Sequence, residues 1–271
     1  MTVSQSEQKN KRKGEGENAA GNNKKANTRT DTLRAQLQAP LVEFKLRDLH
    51  ACVVIHIHGQ EERKQQWMRV VQENLGMSLA GGEVHELRAT VPLVDGGSRI
   101  AGCRASHVRA LNLLLTFDVW PALVMEDDAK PCDGVRKLQD LVLSWPQGAV
   151  AVSIGHARET SRESPLAVRV APALVRLTGT GTKAGLGAVI YPCSEGVRKV
   201  LDVYRKYEAD KDVDADALLF GRTITEFALP VYALRSPVME DNGHALGAGS
   251  NLRRKDSGLP LTGPIKACEL R

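Results

Sequence analysis

Cys52-Val53-Val54-Ile55-His56-Ile57, closed by Gly59 and followed by Trp67, Val70, Val71 and Leu75, is the stretch that decides the fold. The first six residues are almost continuously apolar and rich in β-branched side chains. That is the pattern of a strand covered on both faces. The four apolar residues after Gly59 recur at i, i+3, i+4 and i+8, so they share one face of a helix. Gly76 stands just past the end of that pattern, where a helix commonly stops on a residue of positive φ. The unit reads strand, loop, helix, the opening of many nucleotide-binding α/β domains.

The pattern continues along the chain. Gly81 to Gly97 reads as loop or short strand, and Ser106 is expected to begin a helix with Val108, Leu111 and Leu115 inward. Ala122-Leu123-Val124-Met125 is a short apolar strand that runs straight into Glu126-Asp127-Asp128. Val150–Ile154 and Leu186–Tyr191 read as strands. Ser194 reads as the N-cap of a helix carrying Val197, Val200, Leu201 and Tyr204 on one face. Val231–Leu234 reads as a last strand. Alternating strands and helices predict an α/β domain with a largely parallel sheet flanked by helices. Sites in such folds collect at the carboxyl ends of strands, which is where the acidic triplet falls.

Composition bounds the rest. The 271 residues are 42% hydrophobic, enough for a substantial core, and only 4% aromatic, which argues against nucleic-acid binding through base stacking. The net charge is +5, and Lys9, Lys11, Arg12, Lys13, Lys24 and Lys25 place much of the basic excess near the start. Residues 1–33 have almost no bulky apolar side chain and are expected to be a disordered basic tail. The tail is either simply solvated or a polyanion-binding patch. Residues 34–252 are expected to form the folded domain, and 253–271 an irregular tail. No run of about 18 apolar residues and no apolar leader is present, so a cytoplasmic location is expected, with any membrane contact peripheral. The five cysteines are scattered singly, which suits reduced thiols better than a disulfide framework.

Three consecutive carboxylates at the end of a buried strand raise one another's pKa unless a positive charge joins them. A divalent cation is the simple remedy, and oxygen donors favour a hard ion such as Mg²⁺ or Mn²⁺. Such an ion could neutralise a diphosphate leaving group. The plainer alternative is an exposed acidic turn. Gly179, Gly181, Gly185 and Gly187 lack the spacing of a phosphate-binding loop and read as turns.

Three segments, in order, resemble glycosyltransferase family 25, the lipopolysaccharide and collagen galactosyltransferase-like group. They are Val54–His58 through Glu62-Arg63, then Ile100-Ala101-Gly102-Cys103-Arg104-Ala105-Ser106-His107, then Ala122-Leu123-Val124-Met125-Glu126-Asp127-Asp128-Ala129. Weaker likenesses follow at Gly185–Leu201, Asp214–Phe220 and Gly247–Asn251, so the resemblance spans residues 50 to 252. It departs where the family carries Asn and this chain has His56, and from Glu159 to Lys183. The resemblance implies a GT-A-type fold, a UDP-sugar donor, Mn²⁺ or Mg²⁺, a glycan or protein-linked hydroxyl acceptor, and inversion at the anomeric carbon. An inverting transfer needs one general base.

On that resemblance Asp128 is the expected metal ligand, with Glu126 and a late His244 as further ligands. Glu126 or Asp127 would contact the ribose or support the metal. Ser106 and His107 would sit beside the donor, and Arg63 would reach the nucleotide phosphates. For His107 and Arg63 the alternatives are a helix-start role and a solvated charge. Asp216 or Asp214 would be the base, and the alternative for both is an acidic helix start. The competing readings of the whole chain are a degenerate member that binds a nucleotide sugar or glycan without turnover, and a nucleic-acid-binding protein acting through its tail. No specific nucleic-acid partner is expected.

Overall fold

Burial of apolar, β-branched runs makes the centre of the molecule. The computed structural model describes residues 39–90, 99–135, 137–155, 157–159, 168–171, 174–177, 182–210, 212–234 and 237–241. The described residues from Leu41 onward belong to one compact unit. In chain order the strands are β1 Leu41–Lys45, β2 Ala51–His56, β3 Val84–Arg88, β4 Ala122–Glu126, β5 Ala129–Pro131, β6 Val142–Pro146, β7 Ala151–Ser153, β8 Ala157–Glu159, β9 Val168–Ala171, β10 Leu174–Arg176, β11 Thr182–Ala184, β12 Ala188–Tyr191, β13 Val231–Leu234 and β14 Met239–Asp241. The helices are α1 Glu61–Arg69, α2 Arg99–Phe117, α3 Ser194–Lys206 and α4, a wide-turned segment Ala217–Arg222 running on into Thr223–Thr225.

Eight strands build the main sheet in the order β3-β2-β4-β12-β7-β13-β10-β9. All six residues of β2 are buried, as a strand covered on both faces requires. The expected parallel arrangement holds for β2 with β3, β2 with β4, and β7 with β13. The sheet is nonetheless mixed, because β12 lies antiparallel to both β4 and β7, and β10 antiparallel to β13 and β9. Nothing in the apolar run of β12 encodes direction, so only the chain's path between elements could set it. The region from Glu159 to Lys183, which the family resemblance left unread, supplies β9 and β10 at the sheet edge.

The helix after β2 behaves as its spacing predicts. Trp67, Val70, Val71 and Leu75 are all buried. Beyond Arg69 the helix widens over Val70–Asn74, and it closes on Gly76 at φ +71° with the Met77 N–H on the Val71 carbonyl. Two expectations are corrected. Helix α2 begins at Arg99, not Ser106, and its buried stripe is His107, Ala110, Leu111 and Leu114, with Val108 and Leu115 only partly covered. Ser194 is the first residue of α3 rather than its cap. Cys193 holds the cap position without a side-chain bond, and the Ser194 hydroxyl accepts from Arg198 instead.

The core divides by strand parity. Cys52, Val54, Leu123 and Met125 pack with Trp67, Val70 and Val71 of α1 and its extension. Val53, Ile55, Ala122 and Val124 pack with Leu111 and Leu114 of α2 and Val197, Val200 and Leu201 of α3. Successive side chains of β2 and β4 therefore face opposite helical layers. On the second side, Gly196 lets α3 approach closely, since a Cβ there would lie 2.9 Å from the Val150 Cα. Among the described residues no helix is long and apolar enough to cross a membrane.

Candidate active site

The period-2 alternation of β4 does not stop at its last apolar residue. Met125 faces the α1 layer, so Glu126 faces α2, and Asp127 returns to the side of α1. The ladder supports this continuation, because the Asp127 N–H donates to the Ile55 carbonyl at 3.0 Å. The triplet that looks uniform in sequence is thus divided between two environments.

On the α1 side the charge is sealed in. Asp127 is 3% exposed and Arg63 is 6% exposed. Arg63 Nη1 donates to Asp127 Oδ1 at 2.9 Å, and the Ile57 N–H donates to Asp127 Oδ2 at 2.8 Å. The same guanidinium nitrogen stands 3.5 Å from Asp128 Oδ2. A positive charge does join the triplet, as electrostatics demands, and it is an internal one. Arg63 lies on α1 two residues past its start, which carries the guanidinium over the end of β4 instead of into solvent.

On the α2 side the charge is open. Glu126 Oε1 lies 3.0 Å from His107 Nε2, and the Glu126 side chain is 32% exposed. Cys103 sits one helical turn before His107 on the same face. One ligand atom from each of Cys103, His107 and Glu126 falls within 4.8 Å of the others. Cys103 and Glu126 border a cleft of about 170 Å³, lined also by Gly155, Gly185, Gly187, Asp216 and Glu240, with His107 buried behind them. Cys103 is open to the cleft, yet its thiol is held well above the usual range. The causes are desolvation by the atoms crowding it, then the carboxylates of Glu126, Asp216, Asp214 and Asp128.

The two candidate bases part company. Asp216 lines the cleft, and its Oδ1 accepts the Leu186 N–H at 3.1 Å. Asp214 is exposed and does what an acidic helix start does. Its Oδ1 accepts the Ala217 N–H at 2.5 Å, and its carbonyl accepts the Leu218 N–H. Ser106 is buried in a purely internal role, donating to the Gly102 carbonyl and accepting from the Thr90 N–H, both at 2.8 Å. His244 and the Gly247–Asn251 likeness lie outside the described residues.

Arg104 is the residue to which the sequence reading assigned no role. It is buried, and its guanidinium donates to the carbonyls of Tyr207, Glu208, Asp210 and Val213. It ties α2 to the loop that delivers Asp214 and Asp216. Its neighbours in sequence hinted at a site, but carbonyl acceptors leave no residue-type signature to read.

Of the ligands expected for Mn²⁺ or Mg²⁺, Asp128 meets Arg63, Glu126 meets His107, and His244 lies outside the described residues. Both Asp127 oxygens are engaged. No protein-family model matches the chain, and no curated protein matches it, so the family resemblance rests on the residues that carry it. Among solved structures the chain is similar to that of a glycosyltransferase involved in the glycosylation of the major capsid of PBCV-1, at 12% identity and a TM-score of 0.35, over 66% of this chain and 76% of that one, a likeness too slight to carry an activity across.

Proposed function

We propose that the chain is a metal-dependent glycosyltransferase that moves a hexose, galactose or glucose, from a UDP-sugar to a glycan or protein-linked hydroxyl, with inversion. The observation that carries this reading is the cleft at the strand ends in which Glu126 and Asp216 both stand. In this reading Asp216 is the base. The Leu186 N–H holds one carboxylate oxygen and so orients the group in the cleft. The acceptor hydroxyl gives its proton to Asp216 as its oxygen bonds to the anomeric carbon, and the bond to UDP breaks on the opposite face. A divalent ion would stabilise the departing diphosphate. Gly185 and Gly187 line the cleft without side chains of their own, which allows a donor to lie close to the backbone there.

Calorimetric titration with UDP, with and without Mn²⁺, tests the reading. Binding only in the presence of metal is expected, and absence of binding in both conditions would defeat it. Asp216→Asn is expected to lower transfer by about 10²-fold or more while leaving UDP affinity unchanged.

A further inference from the structure

We propose that Cys103, His107 and Glu126 form a binding site for a thiophilic divalent cation of the zinc class, with its remaining coordination position open to the cleft. The donors are a thiolate, an imidazole and a carboxylate. Sulfur and nitrogen donors select zinc-like ions over Mn²⁺ or Mg²⁺. The arrangement is built by two rigid elements. Cys103 and His107 lie at i and i+4 on α2, inside a 19-residue helix, and Glu126 ends β4. The Glu126 backbone is pinned by its N–H to the Gly187 carbonyl at 3.0 Å.

The spacing suits a tetrahedral ion. Zinc–nitrogen and zinc–oxygen bonds of about 2.0–2.1 Å at a tetrahedral angle put two such donors roughly 3.3 Å apart, and a sulfur about 3.6 Å from either. His107 Nε2 and Glu126 Oε1 already stand 3.0 Å apart. The Cys103 sulfur lies within 4.8 Å of both, and its residue is exposed. On binding, the thiol proton leaves to solvent and the sulfur takes the metal in its place. Three protein donors with a fourth position facing a cleft is the pattern of zinc sites that hold a water or a ligand oxygen. The alternative is a hydrogen-bonded His107–Glu126 pair beside an idle thiol.

The site is tested without nucleotide, so its failure is separable from failure of UDP binding. The full chain, stripped with chelator, is titrated with Co²⁺ and followed by absorption. One equivalent is expected to give the intense visible bands of a tetrahedral ion with a thiolate-to-cobalt charge-transfer band, displaced by Zn²⁺. Cys103→Ser is expected to remove the charge-transfer band and weaken Zn²⁺ binding by at least about tenfold, since losing even an outer partner of a site costs 10–100-fold. His107→Gln, which keeps an amide beside Glu126, is expected to weaken binding while retaining the charge-transfer band at high Co²⁺. No stoichiometric binding, a weak octahedral spectrum, or an unchanged spectrum in Cys103→Ser would each overturn the proposal. The last outcome would assign the signal to another of the cysteines.

Discussion

Asp127 and Glu126 are adjacent residues of the same charge, yet the molecule treats them oppositely. Asp127 is buried, ion-paired to Arg63 and bonded to the Ile57 N–H. Glu126 borders a cleft and meets a histidine and a thiol. The difference arises from the pleat of one strand, which sends successive side chains to opposite helical layers. A buried carboxylate must be fully compensated because the low-dielectric interior makes an unpaired charge expensive. A carboxylate at a cleft can keep coordination capacity in reserve. The first kind of acid holds the end of the strand together, and the second is left open to a ligand.

The largest way to break the contrast is Asp127→Ala. It leaves the Arg63 charge buried without its main partner, and a loss of about 3–5 kcal/mol in unfolding free energy by denaturant titration is expected. The paired change Asp127→Leu with Arg63→Met is expected to recover much of that loss, because it removes both buried charges together. A double variant no better than the single one would mean that the Ile57 N–H, or the Arg63 charge beside Asp128, outweighs the Arg63–Asp127 pair.

Next is Arg104→Ala, on the open side of the sheet. Four backbone carbonyls lose a charged donor, and a destabilisation of about 2–3 kcal/mol is expected. Amide hydrogen exchange should show faster opening of residues 207–213 than of β2. Equal acceleration everywhere would make Arg104 a general core residue and not the tie for that loop.

Asp214→Ala is expected to cost about 1 kcal/mol, the worth of an N-cap, with transfer activity retained within a fewfold. Loss of activity on the scale of Asp216→Asn would return Asp214 to the chemistry. The smallest expected stability effect is that of Glu126→Gln, within about 0.5 kcal/mol of the parent, since the side chain is open to the cleft. Its consequence should appear in Zn²⁺ affinity instead. A stability loss as large as that of Asp127→Ala would erase the distinction between the two corners.

Much of this was legible in residue order. The strand expected at Cys52–Ile57 lies at Ala51–His56, with Ile57 past its end and exposed, while the apolar spacing Trp67–Val70–Val71–Leu75, the stop at Gly76, the helix face of Val197, Val200, Leu201 and Tyr204, and the strand Val231–Leu234 are where periodicity places them. These signals are local, and burial of one face is enough to write them. The start of α2 was misjudged because Ser106, which looks like a cap, spends its hydroxyl on the Gly102 carbonyl one turn back. The antiparallel course of β12 and the edge strands β9 and β10 left no comparable trace, since an apolar strand reads the same in either direction.

Sequence alone determined that an α/β sheet ends in a concentration of carboxylate at Glu126–Asp128, and that this charge must find a positive partner. Which partner each acid finds was decided only in three dimensions. Arg63 is 64 positions from Asp127, His107 is 19 from Glu126, and Asp216 meets Leu186 across 30. Pairings over such separations depend on how β4 lies against α1 and α2, and on strand parity carried one residue past its apolar end. Local pattern records what a residue can do. Its neighbours across the sheet, set by packing and by the cost of leaving a buried charge alone, select which of those things it does.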